Sequence, residues 1–375
     1  MTELFSLKGD QPKAWDAITK WWKTPADKRK QVFRLFGSAG VGKTTIAVKA
    51  KELGNVAYMC LSGKAALVMR SKGCDGASTI HSRIYFLDKE VEGKPQWKLN
   101  RAALTGVDLV VMDEVGMVDP QLGEDVLSFG KPVLVLGDGQ QLPPPKEAPS
   151  FFLASGADFT MREVLRQAKD SPIIELAYQV LETGTVRPGR YGDCEVVVGA
   201  RAGYIEQKMR EAEQILCGKN VTRADCNFDM RRWLNLQGEF AQEAPMVGDR
   251  LICLKNNHKK MILNGEQFLV ESISDSYVGN DVCSFVAKST DMETLPATYD
   301  VPIEFFKGTE KTLPRYTVAN FDQFTYAYVL TTHKAQGSQW DNVLVLDESR
   351  AFREFKKNHL YTAITRAVKK VTVIL

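Results

Sequence analysis

The chain has 375 residues, of which 44% are hydrophobic and 25% charged, and its formal net charge is +3. This length accommodates two or three domains with buried cores, and no apolar run approaches the roughly 18 to 20 residues that cross a bilayer. We therefore expect no membrane span, and the charged first residues, which do not fit a signal peptide, predict a cytoplasmic location. Because the net charge is small, any nucleic-acid binding must come from a local basic groove.

A glycine-rich segment near the N-terminus predicts a phosphate-binding loop. The apolar run 32–36 is typical of a strand and leads into GSAGVGKT, which a helix-forming segment follows. The segment fits G-x-x-x-x-G-K-[ST], in which backbone N–H groups surround the phosphates, the lysine reaches the β and γ oxygens and the hydroxyl holds Mg²⁺. The alternative is a chance glycine-rich turn, against which the flanking strand and helix argue. The predicted ligands of ATP are Gly37, Gly40, Gly42, Lys43, Thr44 and Thr45, with Thr44 also binding Mg²⁺.

A second apolar segment, DLVVMDE, predicts the metal ligand and the general base. Its four apolar residues are typical of a buried parallel strand. At the strand end, Asp113 can bind Mg²⁺ and Glu114 can deprotonate the attacking water. Alone, the segment would indicate an ordinary strand and a solvated turn, but beside a phosphate loop the catalytic interpretation is favoured.

A third apolar segment, KPVLVL, is followed by GDGQQLPP. A sharp polar turn after a buried strand belongs at the carboxyl edge of the sheet, where open α/β folds bind ligands. Gln141 is therefore a candidate sensor of the γ-phosphate. A surface turn that ends in proline explains the segment equally well.

Together these segments resemble helicase motifs I, II and III of superfamily 1, RecD-like branch. The resemblance covers residues 7–367 as short blocks. Gln11 resembles the glutamine of the motif that reads adenine, although an amphipathic first helix explains the same segment. MREVLRQ resembles motif IV and LYTAITRA motif VI. The resemblance implies that Arg166 and Arg366 reach the γ-phosphate from a second motor domain.

The resemblance also implies contacts with a DNA strand. SGKAA and STIHS are similar to DNA-binding segments of the first domain, and YAYVLTTHKAQGSQ is similar to motif V of RecD and phage Dda helicases. A lone lysine or histidine would usually be a solvated charge or a satisfied polar group, so these assignments depend on the ordered series of motifs. The implied DNA ligands are Ser62, Lys64, Thr79, His81, Thr332, His333 and Lys334. The resemblance also implies that Gly337 contacts the bound nucleotide.

The implied fold is α/β, with two RecA-like P-loop motor domains and two small insertions. We expect motor domain 1A at 1–81 and 105–150, and motor domain 2A at 151–245 and 326–375. A β-hairpin at 82–104 stands where the family has domain 1B and its strand-separating pin. Short β segments at 246–325 fit an SH3-like domain 2B. Phe86 and Trp97 are the candidate pin aromatics, although Trp97 could equally pack the hairpin onto domain 1A.

The implied function is an ATP-dependent 5′ to 3′ DNA helicase that requires Mg²⁺ and acts as a monomer on single strands and on duplex junctions. A translocase that does not unwind efficiently, or a nucleotide-gated DNA-binding or loader protein, is the alternative. A single-strand-binding protein and replication, recombination or repair proteins are candidate partners. The short length and the resemblance to Dda point to a phage or mobile-element source, in which case the location is the host cytoplasm.

Overall fold

The computed structural model describes residues 7–91, 94–144, 150–165, 170–236, 244–255, 257, 260, 262, 264–274, 281–291, 294–314, 318 and 320–375. Within these ranges, the strands form two six-stranded sheets, one five-stranded sheet and one hairpin. No helix in this part of the chain is long and apolar enough to cross a membrane.

The strands and helices alternate through much of the chain. The strands are β1 (Val32–Gly37), β2 (Val56–Cys60), β3 (Ser78–Thr79), β4 (Tyr85–Val91), β5 (Lys94–Leu99), β6 (Leu109–Asp113), β7 (Val133–Gly137), β8 (Phe159–Met161), β9 (Gly189–Tyr191), β10 (Cys194–Val197), β11 (Gln214–Cys217), β12 (Arg250–Cys253), β13 (Gln267–Ile273), β14 (Val282–Ser289), β15 (Ala297–Pro302), β16 (Phe324–Tyr326), β17 (Val329–Thr331), β18 (Trp340–Leu346) and β19 (Ala367–Ile374). The α-helices are α1 (Gln11–Lys23), α2 (Lys43–Lys49), α3 (Gly63–Ser71), α4 (Ile80–Ile84), α5 (Pro120–Leu127), α6 (Pro172–Thr183), α7 (Ala202–Glu211), α8 (Asn220–Trp233), α9 (Glu304–Lys307) and α10 (Lys356–Ile364).

The first sheet has the strand order β3-β2-β6-β7-β1-β8, and all of its pairs are parallel. Its central strands are apolar on both faces because helices cover both sides, as parallel sheets require. The carboxyl ends of β1, β6 and β7 lie at one edge, followed by the glycine-rich loop, the Asp-Glu pair and the polar turn. This sheet has the parallel core typical of a RecA-like motor domain, as the sequence predicted.

The predicted end of the first domain at residue 150 is wrong. Phe159–Met161 pairs in parallel with β1, and Phe152 is fully buried in a core of the first domain. The domain therefore continues past residue 150. A three-residue strand is too short to display the apolar periodicity from which a strand can be predicted.

The second sheet has the strand order β17-β11-β18-β19-β10-β9, in which only the β10–β9 pair is antiparallel. A five-stranded antiparallel sheet, β15-β14-β13-β12-β16, packs against it. Ile215 of the second sheet and Phe268 of the antiparallel sheet belong to one continuous hydrophobic core. The antiparallel sheet is therefore firmly attached to the second motor domain, and its identity as an SH3-like domain 2B stays a prediction.

The hairpin β4–β5 stands where the sequence predicts a pin. Phe86 pairs with Lys98, and Leu87 pairs with Trp97. Because paired residues share a face and consecutive residues alternate, Phe86 and Trp97 lie on opposite faces of the hairpin. Phe86 is 44% exposed and Trp97 is 39% exposed. The two candidate pin aromatics therefore cannot form one continuous aromatic surface.

Candidate active site

A cleft of about 400 Å³ separates the two motor domains at the carboxyl edge of the first sheet. Both domains contribute polar side chains to its walls. Its lining includes Lys43, Thr44, Thr45, Asp113, Glu114, Asp138 and Gln141 from the first domain, and Gly337, Gln339, Thr365 and Arg366 from the second.

The glycine-rich loop between β1 and α2 has the backbone conformation that the sequence predicts. Gly40 and Gly42 have φ angles of 81° and 83°, which side chains other than glycine rarely adopt. At Gly37, a Cβ atom would lie 2.8 Å from the carbonyl oxygen of Met161, so the neighbouring strand also demands glycine. The ammonium of Lys43 donates to the carbonyl oxygens of Gly37 (2.5 Å) and Ser38 (3.0 Å). The lysine therefore lies over the loop in which phosphates would be bound.

Gln11, at the start of α1, is almost fully buried against this loop. Its Nε2 donates to the carbonyl oxygen of Gly42 at 3.1 Å, and its Oε1 accepts from the backbone N–H of Lys8 at 2.9 Å. The side chain thus ties the first helix to the phosphate loop. A contact between Gln11 and adenine stays a prediction.

Asp113 and Glu114 end β6 beside Lys43. Burial, followed by the negative charge of Glu114, raises the pKa of Asp113, and the charge of Lys43 opposes this shift. A divalent cation would relieve the repulsion between the two carboxylates, so the donor set fits Mg²⁺. Glu114 has a φ angle of 53°, an uncommon conformation for a residue other than glycine, and such strain occurs often at functional sites.

Tyr361 of α10 joins the two motor domains and was not predicted from the sequence. Its hydroxyl donates to Oδ2 of Asp138 at 2.7 Å and accepts from the backbone N–H of Ala39, in the phosphate loop, also at 2.7 Å. Burial raises the pKa of Tyr361, so the phenol stays neutral. Tyr361 lies in the block LYTAITRA, but only the folded structure reveals its partners because they are more than 200 residues away.

Gln141 and Arg366 both line the cleft, and their roles at the γ-phosphate stay predictions. The guanidinium of Arg366 lies 3.9 Å from Glu114 and donates to the carbonyl oxygens of Thr362 (3.2 Å) and Ser338 (3.4 Å). Only 3% of Arg366 is exposed, and the residue lines the cleft. The other predicted arginine, Arg166, lies outside the described residues.

Of the predicted DNA ligands of the first domain, two cap helices, His81 is exposed, and Lys64 pairs with Asp291. Ser62 and Thr79 cap helices α3 and α4, accepting from the backbone N–H groups of Ala65 and Ser82 at 3.1 Å each. His81 is exposed and its ring lies 5.6 Å from that of Tyr85.

The predicted DNA ligands of the second domain follow β17. Thr332 is buried and donates to the carbonyl oxygen of Cys217 at 3.2 Å. Nε2 of His333 lies 3.2 Å from the carbonyl oxygen of Pro143, and burial lowers the pKa of His333, so a neutral ring donates across to the first domain. Lys334 is exposed as a residue, yet desolvation of its ammonium lowers its pKa to about 8, and a contact between Lys334 and DNA stays a prediction. Of these three residues, only Lys334 presents a charge to solvent.

Two family models match parts of the chain. The UvrD-like helicase C-terminal domain matches residues 326–374, and the AAA domain matches residues 19–200. An ATP-dependent RecD2 DNA helicase from Deinococcus radiodurans is 27% identical over 357 residues. That alignment covers 89% of this chain and 45% of the relative, so the chain spans less than half of the relative's length.

Two solved structures share the fold. One describes DNA unwinding at forked double-stranded DNA by two coordinating Pif1 helicases, with a TM-score of 0.56 and 16% identity, covering 98% of this chain and 92% of that one. The other is a Bacteroides Pif1 bound to single-stranded DNA, with a TM-score of 0.55 and 16% identity, covering 94% and 91%. At this identity the likeness shows the fold alone.

Proposed function

We propose that the chain, which is similar to a RecD2 DNA helicase and matches the UvrD-like helicase C-terminal domain, hydrolyses ATP between its two motor domains. It would so move along single-stranded DNA from 5′ to 3′ and unwind duplex. The observation that carries this proposal is the two-sided cleft. Lys43 enters it from one domain and Arg366 from the other, and Arg366 lies 3.9 Å from the carboxylate of Glu114. A triphosphate bound in the cleft would complete the site.

Each side chain in the cleft has a task in phosphoryl transfer to water. Lys43 would bind the β and γ oxygens, and Glu114 would accept the proton of the attacking water. Thr44 and Asp113 would hold Mg²⁺, which neutralises phosphate charge. Arg366 would stabilise the charge that develops on the transferred group. Gln141, whose segment follows β7, would orient the water or sense the γ-phosphate.

The backbone of the phosphate loop and side chains of both motor domains would bind the nucleotide. Gly37, Gly40 and Gly42 leave the loop N–H groups accessible to phosphate oxygens, and Thr45 and Gly337 also line the cleft. Gln11 would reach the adenine from the start of α1. Arg166 is proposed as a second arginine on the strength of the motif alone.

Single-stranded DNA would cross both motor domains. His81 and Lys334 are exposed on the two domains and are the proposed outward contacts to the strand. Ser62, Thr79 and Thr332 are capping or buried residues. They would contribute to DNA binding indirectly, by fixing the backbone segments that carry them. Phosphate contacts of this kind make affinity fall steeply with salt.

The hairpin bears on whether the motor unwinds or only translocates. Phe86 and Trp97 are exposed on its opposite faces, so either could stack on the last base pair of a fork. Base-aromatic stacking is worth about 1 to 3 kcal/mol per base, similar to the cost of opening one pair. We therefore propose unwinding at the fork, with duplex junctions as a substrate.

DNA-stimulated ATP hydrolysis tests this proposal. The wild-type chain with Mg²⁺ should hydrolyse ATP slowly alone and faster with single-stranded DNA. Lys43→Ala should lose hydrolysis while it retains DNA binding, because Lys43 contacts phosphate of the nucleotide and not DNA. A wild-type chain that binds DNA but turns over ATP equally slowly with and without it would favour the nucleotide-gated binding protein.

A further inference from the structure

The side chain of Lys64, on helix α3 of the first domain, contacts two parts of the molecule beyond that domain. Its Nζ lies 3.2 Å from Oδ1 of Asp291, which follows β14 of the antiparallel sheet. The same atom lies 4.4 Å from the ring centre of Trp340, the first residue of β18 in the second motor domain. We call these three residues the Lys64 cluster.

The Lys64 cluster is largely withdrawn from solvent. The side chains of Lys64 and Asp291 are 12% and 10% exposed, and Trp340 is 4% exposed. An exposed ion pair contributes little to stability, whereas removing one partner of a buried pair is costly because a charge is left without compensation. Burial lowers the pKa of Lys64, and the charge of Asp291 opposes that shift. Asp291 and Trp340 therefore offset the loss of hydration of the Lys64 ammonium.

The surroundings hold the Lys64 cluster in place. Oδ2 of Asp291 accepts from the backbone N–H of Gln267 at 2.9 Å, so the carboxylate is held against β13. Beside the cluster, Gly337 packs directly on the start of α3. A Cβ atom on Gly337 would lie 2.9 Å from Oγ of Ser62 and 3.2 Å from Cβ of Ala65, and its φ angle is 77°. This close packing between domains brings Lys64 to its partners.

The Lys64 cluster is linked to the arginine at the cleft. The backbone N–H of Trp340 donates to the carbonyl oxygen of Arg366 at 3.0 Å. The guanidinium of Arg366 also donates to the carbonyl oxygen of Ser338, two residues before Trp340. The position of Trp340 thus helps to determine where the arginine lies relative to the cleft.

We propose that Asp291 and Trp340 are positioning residues that bind Lys64 when the cleft is closed, and so hold Arg366 where it can act on ATP. This inference rests on the proposed function of Arg366. It gives the antiparallel sheet a part in hydrolysis, because Asp291 comes from that sheet. In the closed arrangement, Lys64 binds Asp291 and not a DNA phosphate.

The test measures ATP hydrolysis without DNA in the full chain and in four variants. Asp291→Asn removes the charge but keeps an oxygen that can accept from Gln267. Trp340→Phe keeps an aromatic ring but weakens the cation–π contact, since tryptophan is the strongest partner. Lys64→Met and the double variant Lys64→Met with Asp291→Asn complete the set. Asp281→Asn, an exposed carboxylate of the same sheet, is the matched control.

We expect Asp291→Asn to lower kcat about tenfold and to leave KM for ATP within about twofold, because misplacing a group that acts in the transition state mainly affects kcat. Trp340→Phe should lower kcat less. The double variant should be no slower than Lys64→Met, since both changes break one contact. Asp281→Asn should match wild type.

Several outcomes would overturn the inference. Suppose that the wild-type chain hydrolyses ATP and that the variants Asp291→Asn and Trp340→Phe have the same kcat as wild type. The Lys64 cluster then does not position Arg366, even if the two variants melt at lower temperatures. If Asp291→Asn only tightens single-stranded DNA binding, Asp291 instead competes with DNA for Lys64. A wild-type chain that hydrolyses no ATP, with or without DNA, contradicts the proposed function itself and the inference with it.

Discussion

The guanidinium of Arg366 lies 3.9 Å from the carboxylate of Glu114, across the cleft between the two motor domains. Glu114 belongs to the strand end that presents the acidic pair, and Arg366 follows the last helix of the chain. The proposed base and the proposed transition-state cation thus come from different domains and are brought together only when the domains meet. Hydrolysis should therefore depend on closure of the cleft.

Arg366→Ala should reduce the rate of ATP hydrolysis by on the order of 10³, the lower end of what arginine fingers contribute in GTPases. Nucleotide affinity should change little, because the arginine mainly stabilises charge that develops during the reaction. Steady-state kinetics and binding of a fluorescent nucleotide separate the two effects. Lys369→Ala is the control, since Lys369 is exposed on the same segment. Weaker binding with an unchanged maximal rate would mean that Arg366 serves ground-state binding.

Glu114→Gln should bind ATP with Mg²⁺ and hydrolyse it far more slowly, because an amide cannot accept the proton of the water. A single-turnover measurement with excess enzyme isolates the chemical step. Glu124→Gln, an exposed carboxylate on α5, should behave as wild type. Near-normal turnover of Glu114→Gln would show that another group is the base.

Tyr361→Phe should lower both the melting temperature and the rate of hydrolysis. The change removes two hydrogen bonds between the domains and leaves the buried carboxylate of Asp138 without one donor, which costs about 1 to 3 kcal/mol. Thermal melting and basal hydrolysis measure the two effects. The control is Tyr191→Phe, which removes an exposed hydroxyl that donates to Arg187. Equal behaviour of the two variants would show that Tyr361 does not join the domains in solution.

Trp97→Ala should lower the rate of duplex unwinding severely while DNA-stimulated hydrolysis and translocation on single strands persist. The reason is that stacking at the fork is needed only to open base pairs. Phe86→Ala, on the opposite hairpin face, should have a smaller effect. If Trp97→Ala lowers all three activities together with the melting temperature, Trp97 packs the hairpin and the separating residue lies elsewhere.

Features encoded in short continuous segments could be predicted from the sequence. The phosphate loop with Gly42 and Lys43 lies within a few residues, so its spacing indicates its chemistry. The strand that leads into Asp113 and Glu114 is equally short, and its catalytic interpretation followed from the presence of that loop. The first parallel sheet followed from the same apolar runs, whereas the second motor domain was predicted only from the resemblance to the helicase motifs. The strand Phe159–Met161 was missed because three residues show no periodicity.

Contacts between distant segments could not be predicted. Lys64 carried a prediction of DNA binding, and the structure shows it bound to Asp291 and Trp340. Nothing near Asp291 in the sequence marks it as a partner of a lysine more than 200 residues earlier. Thr332 likewise belongs to a recognisable block, yet its hydroxyl is turned into the core.

Strand displacement on duplexes with a single-stranded tail at either the 5′ or the 3′ end tests the central claim most directly. The wild-type chain with ATP and Mg²⁺ should displace the strand from the 5′-tailed duplex and leave the 3′-tailed duplex intact, and Lys43→Ala should displace neither. Displacement from the 3′-tailed duplex alone would contradict the proposed polarity. An absence of displacement from both duplexes, in a chain that hydrolyses ATP on single-stranded DNA, would contradict unwinding and leave a translocase.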